Sequence, residues 1–314
     1  MSNDTSWEKN ALETLLLDNL KDKRSERRWR TFWRIVWLLI FGAALYSFFG
    51  PLKSKSSSVL GKHTALIKIE GEISSGTPAN ATNLIASLQA AFDSPDSLGI
   101  IVQINSPGGS PVQSGLVYDE IMRLRQANPQ KKLYVVVEDI CASGAYYIAV
   151  AGEKIYVDKA SLVGSIGVIM SGFGFQGVID KLGVERRVLT AGENKSMLDP
   201  FVKQNPKHRE ALQMMIDEVH GQFIQVVKEG RGERLKNQPD LFSGMVWVGT
   251  KSIELGLADE IGSVDFVARE VIKNTDIIDY SQTDNYAERL AKRFGAEFGT
   301  SLSKALQQLS LIHI

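Results

Sequence analysis

From Ala65 onward, short β-rich apolar runs alternate with helical stretches, and this alternation limits what the chain can fold into more than any other feature. Ala65-Leu66-Ile67-Lys68-Ile69 and Gly99-Ile100-Ile101-Val102-Gln103-Ile104 read as buried strands, and Val112 to Arg125 has helical periodicity. Leu133 to Val137 is a third strand, Ala145 to Ala151 a short buried helix, and Lys154 to Val157 a fourth strand. Val184 to Thr190 reads as one more. Strands that alternate with helices form an α/β domain with substantial parallel pairing, because parallel neighbours need a crossover between them. Alternation alone leaves open whether the strands form a doubly wound sheet or a spiral.

Two amphipathic stretches follow. Pro206 to Gly230 is a long helix with Leu212, Ile216, Val219, Phe223 and Val226 at spacings of four and three, expected as a stripe that faces the core. Tyr286 to Leu311 repeats the theme with Leu290, Phe294, Phe298, Leu302 and Leu306 at every fourth residue. Such a stripe fits a membrane surface, a neighbouring subunit or the chain's own domain.

The 314 residues carry 36 basic and 36 acidic side chains, so no global charge points to nucleic acid. The positive charge is local. Lys21, Lys23, Arg24, Arg27, Arg28, Arg30 and Arg34 precede an uncharged run from Ile35 to Leu52, whose 18 residues just meet the length of a membrane-crossing helix. Phe48-Phe49-Gly50-Pro51 is a poor cleavage site for a secretory signal, so an uncleaved anchor is expected. With the basic cluster held inside, residues 1–31 form a cytoplasmic tail, 32–52 the single span and 53–62 a serine-containing polar linker. Everything beyond is expected across the membrane: a folded domain over 63–275 and an amphipathic extension over 276–314.

The chemistry concentrates where the third strand ends. Asp139-Ile140-Cys141-Ala142-Ser143-Gly144-Ala145-Tyr146-Tyr147 puts a hydroxyl at a helix N-terminus, where backbone N–H groups can hold a developing oxyanion. Upstream stands Asn105-Ser106-Pro107-Gly108-Gly109; downstream stand Gly164-Ser165-Ile166-Gly167-Val168 and Ala191-Gly192-Glu193-Asn194-Lys195. Val246-Trp247-Val248-Gly249 through Ile253-Glu254-Leu255-Gly256-Leu257-Ala258-Asp259-Glu260-Ile261-Gly262 completes the set. In this order, from about Thr64 to about Val264, the segments resemble the signal peptide peptidase A family in its short form. These are membrane-anchored serine peptidases with a Ser/Lys dyad and a crotonase-like spiral fold shared with the Clp proteases.

The resemblance implies Ser143 as nucleophile, Lys195 as general base and Ser165 as the hydroxyl that orients the lysine. It also implies Gly108 or Gly109, together with Gly144, as oxyanion donors. Asn194 departs from the aromatic residue that many relatives carry before this lysine. A lysine acts as a base only where burial or its surroundings disfavour the ammonium form. Histidine offers no evident rival: His63 abuts the linker, His208 and His220 lie on the long helix, and His313 is in the tail. Cys141, the single cysteine, excludes an internal disulfide and reads as a small buried hydrophobe.

In short members of the family the serine and the lysine come from adjacent subunits of a ring-like homo-oligomer, so assembly and activity are expected to be coupled. Hydrophobic peptides, notably signal-peptide remnants, are the implied substrates, at a bacterial inner membrane with the catalytic domain periplasmic or extracytoplasmic. No cofactor, metal or nucleic acid is expected. Three readings compete: an acyl-CoA hydratase or isomerase of the crotonase type, a non-catalytic anchored scaffold, and a peptidase that trims integral membrane proteins.

Overall fold

The computed structural model describes residues 29–30, 32–42 and 61–282. Residues 61–282 lie within one compact unit. The alternation is realised as β1 (His63–Glu70), α1 (Ala81–Asp93), β2 (Ser97–Ser106), α2 (Pro111–Ala127), β3 (Leu133–Ala142), α3 (Gly144–Ala149), β4 (Ile155–Val157) and β5 (Leu162–Gly164). Then come α4 (Gln176–Lys181), α5 (Pro206–Arg231), β6 (Val246–Val248), α6 (Gly249–Glu254), β7 (Glu260–Ile261) and β8 (Ile277–Asp279).

β1, β2 and β3 pair in parallel, with Ala65 opposite Ile100 and Ile100 opposite Leu133. The two-residue period of a strand then sends alternate side chains to opposite faces. Ala65, Ile67, Ile69, Ile100, Val102, Ile104, Leu133, Val135 and Val137 enter one core, while Leu66, Ile101 and Val136 enter a second on the other face. Both faces are covered, which is why these strands read as nearly unbroken apolar runs. Each buried branched side chain contributes about 1.5–3 kcal/mol.

Helix starts carry their own signals. Asn80, Ser110 and Asn205 cap α1, α2 and α5 by accepting from Asn83, Gln113 and Lys207 N–H, and Pro111 and Pro206 occupy first-turn positions that need no N–H.

The pairing changes hands along β3. Ile104 of β2 faces Val137, but Ser106 faces Cys141, so β3 has two extra residues between those pairs. Before the irregularity β3 pairs β4 through Val135 and Val136; after it, Ile140, Cys141 and Ala142 pair β5 in parallel. β6 closes against β5 in the antiparallel sense.

Three expectations are revised. Val184 to Thr190 is irregular and exposed throughout, because no sheet edge receives it. β8 pairs with β1 through Thr64 and Ile277, so the sheet runs past residue 275. The stripe on α5 is buried only toward its end, at Phe223, Val227 and Arg231, while Leu212, Ile216 and Val219 stay half-exposed.

Residues 29–42 are helical where described, with aromatic contacts joining Trp29, Phe32 and Trp33. No helix among the described residues is long and apolar enough to cross a membrane. The remainder of the expected span, the linker to residue 60 and the tail from 283 lie outside the described residues.

Candidate active site

Ala142 and Gly164 are register partners at the ends of β3 and β5, so Ser143 and Ser165 leave two parallel strands side by side. Ser143 N–H donates to the Gly164 carbonyl at 2.9 Å and ties the two turns together. Both serines have positive φ, 52° and 51°; Lys273 is the only other non-glycine residue that does so among those described. Such conformations cost about 1–3 kcal/mol each and persist where surrounding contacts over-determine them. Ser143 stands at the N-cap of α3, yet its side chain makes no capping hydrogen bond, which leaves the hydroxyl uncommitted to the helix.

The turn after β2 presses against this serine. A Cβ on Gly108 would lie 2.6 Å from the Ala142 carbonyl, 2.7 Å from Gly144 N and 2.8 Å from Ser143 Cβ. Gly109 is pinned from the other side, because its Cβ would meet the Ile73 carbonyl at 2.1 Å. Only glycine tolerates both the positive φ and this approach. Gly108 N–H donates to Ser106 Oγ at 3.1 Å and is therefore engaged inward. The Gly109 amide nitrogen sits 3.3 Å from the point where a Cβ on Gly144 would stand, so both glycines of the pair lie against the nucleophile turn. Ser114 Oγ lies 2.5 Å from the same point, buried and without a hydrogen-bond partner among the described residues, so a side chain at residue 144 would have to displace it.

The base of α3 is anchored through Tyr146, whose buried hydroxyl donates to the Leu257 carbonyl at 2.8 Å. That loop is held by Arg231, 1% exposed, which donates to the Gly256 carbonyl and, through two nitrogens, to both Asp259 oxygens at 2.8 and 2.9 Å. Burial alone would raise the Asp259 carboxyl, but the hydrogen-bonded Arg231 guanidinium outweighs it and holds the group below its ordinary value. No local pattern announces this clamp, although Asp259 and Gly256 lie inside the closing motif.

Cys141 is fully buried, and desolvation pushes its thiol up, so it offers no thiolate at neutral pH. His63 is buried against Tyr280, with Nε2 2.8 Å from the hydroxyl. His220 Nε2 lies 3.1 Å from the Ile166 carbonyl, a contact across 54 residues that no local signal announces.

Lys195 stands apart. It occupies an exposed turn, its N–H donating to the Gly192 carbonyl, and no hydrogen bond among the described residues joins it to Ser143 or Ser165. The surrounding segment is largely exposed but internally braced: Arg186 bonds Asp199 at 2.8 Å and lies over the Phe201 ring. The Phe201 N–H and this guanidinium hold the Asp199 carboxyl below its ordinary value. Ile169 and Phe173 are 86% and 82% exposed, with Leu182, Leu189 and Leu198 also out in solvent.

Residues 125–277 match the model of peptidase family S49. A protein of Synechocystis sp. described as a protease is 30% identical over 202 residues, covering 64% of this chain and 70% of that protein. The chain belongs to peptidase family S49. Its S49 region contains Ser143, Gly144, Ser165 and Lys195, and is a serine-peptidase domain; the glycine turn at 108–109 lies before it in sequence and against it in space. A protein of Enterococcus faecium described as a signal peptide peptidase SppA is 28% identical over 193 residues, 62% of this chain and 56% of that protein. A protein of Brucella melitensis named as a Na(+)/H(+) antiporter NhaA is 46% identical over 204 residues, 63% of this chain. The chain covers 28% of that protein's length.

Proposed function

We propose that this protein is a membrane-anchored serine endopeptidase that hydrolyses hydrophobic peptides, signal-peptide remnants foremost, with a Ser/Lys dyad. The observation that carries this reading is the convergence at Ser143: a strained serine with an uncommitted hydroxyl, flanked by Gly109 and Gly144 and tied to the Ser165 turn. Ser143 Oγ attacks the scissile carbonyl while its proton passes to Lys195 Nζ. The Gly109 and Gly144 N–H groups face the oxyanion of the tetrahedral intermediate. Collapse expels the amine, which takes the proton from Lys195, and water then hydrolyses the acyl-enzyme by the same route in reverse. Ser165 Oγ accepts from the lysine and orients it.

A homo-oligomer in which Lys195 comes from the neighbouring subunit accounts for two features at once. Lys195 lies on an exposed segment without a bond to Ser143 in its own chain, and that segment displays a run of apolar side chains that water does not favour. The basic cluster before residue 35 and the apolar run to Leu52 support a single span in a bacterial cell membrane with the domain outside. The splitting of β3 between β4 and β5 fits a crotonase-like spiral.

Mixing tests both dyad and assembly. Full-length Ser143→Ala and Lys195→Ala are each expected to be inactive on a fluorogenic hydrophobic peptide. Co-assembled in equal amounts, they regain activity toward about a quarter of wild type, because random pairing in a ring restores that share of junctions. An inactive mixture of assembled chains would place both residues in one subunit, and an active Lys195→Ala would remove the lysine from the reaction.

A further inference from the structure

His220 sits on α5, and its contact with Ile166 serves none of the roles assigned so far. A carbonyl can only accept, so the ring carries its proton on Nε2 and donates to Ile166 O at 3.1 Å. Ile166 is fully buried and directly follows Ser165. The Ser165 N–H donates to the Met245 carbonyl at 2.7 Å, and its own carbonyl accepts from Gly167 N–H at 2.9 Å. The left-handed turn is thus held at its amide from the segment leading into β6 and, one residue later, from α5.

From His220 onward the same helix also supports the nucleophile. The Phe223 ring packs against Tyr147 of α3 with centroids 5.2 Å apart. Gly230 lets Val150, just past α3, approach so closely that a Cβ would meet its carbonyl at 2.5 Å. Arg231 holds the loop that receives Tyr146. One helix therefore touches both the Ser165 turn and the short helix that follows Ser143.

We propose that His220 is a positioning residue: by donating to the Ile166 carbonyl it fixes Ser165 relative to Ser143, with α5 as the common support. The proposal rests on Ser165 orienting the catalytic base. His220 itself touches neither substrate nor reacting atoms.

The test is a double-mutant cycle in the full-length protein, with oligomer size and thermal midpoint recorded for every variant. His220→Ala is expected to lower kcat about ten- to a hundredfold through misplacement of Ser165, with KM nearly unchanged. It is also expected to shift the pH profile of kcat. His220→Gln, which keeps an N–H donor, recovers most of the rate and the wild-type profile. In a Ser165→Ala background, His220→Ala adds little, because both act through the same hydroxyl. Should His220→Ala fail to assemble, His220→Leu removes the donor while keeping bulk and makes the same comparison. A wild-type kcat and profile in the assembled donor-less variant overturns the proposal, as does a full additional loss in the Ser165→Ala background. A fully active Ser165→Ala removes the assigned role of Ser165, and the proposal with it, while the Ser143 and Lys195 variants report separately on the peptidase reading.

Discussion

Gly108 leaves no room for a side chain beside Ser143, and the consequences are sharp at the scale of single residues. Gly108→Ala would drive a methyl group into Gly144 N and Ser143 Cβ at a positive φ, so the turn must open and carry the neighbouring donors with it. The expected result is a loss of about a hundredfold or more in kcat, the scale of one lost oxyanion donor, measured as single-turnover acylation by a hydrophobic peptide ester. A wild-type rate in the Gly108→Ala enzyme would show that this turn lies outside the reaction. Such contacts were half legible in the sequence. Gly-Gly after a strand signals an unusual turn, but only the folded chain shows that Gly108 N–H is bound to Ser106 Oγ and that the pair is wedged between Ile73 and the Ser143 turn.

Among elements, the short helix α3 depends on what grips it from outside. Six residues cannot sustain a helix by themselves, so its position is set by tertiary contacts, among them the buried Tyr146 to Leu257 hydrogen bond. Tyr146→Phe removes the donor and strands a buried carbonyl. A loss of about 1–3 kcal/mol in urea unfolding is expected, accompanied by a drop in kcat as the nucleophile turn loosens. A fall in stability with unchanged kcat would separate the anchor from catalysis. On α5 periodicity located the apolar face but not its partner: the end of the helix packs on the core, while the start leaves Met214 and Met215 exposed. A core stripe and an interface stripe have the same spacing, so only tertiary structure divides them.

For the whole molecule, the Arg231–Asp259 pair joins the long helix to the closing motif and gives stability a pH dependence of definite sign. The folded Asp259 value lies below its ordinary one, so the pair's contribution is complete above about pH 4 and is lost as pH falls through the folded value. Asp259→Asn removes that acid-sensitive component and leaves a buried guanidinium unpaired, with an expected cost of about 3–5 kcal/mol at pH 7. Urea unfolding of both proteins at pH 7 and pH 3 checks the two effects; an Asp259→Asn variant as stable as wild type at pH 7 would show the clamp to be dispensable. Assembly gives a second prediction at this scale. Leu189→Asp, on the exposed apolar segment, is expected to lower oligomer mass and activity together, read by light scattering and peptide hydrolysis on one sample. Retained activity in dissociated chains would contradict a shared site. The alternation of apolar runs settled the parallel α/β sheet, because buried strands and crossover helices must each cover the other's apolar face. Val184 to Thr190 shows the limit, since a β-prone run becomes a strand only where an edge accepts its backbone. By itself the sequence determined the four central strands, the long helix from Pro206 and the place of the serine turn, since each follows from local pattern and backbone sterics. The tertiary structure alone decided that Gly108 packs against Ser143, that Arg231 is buried against Asp259, and that His220 reaches Ile166, because these contacts join residues far apart in sequence that share no local signal.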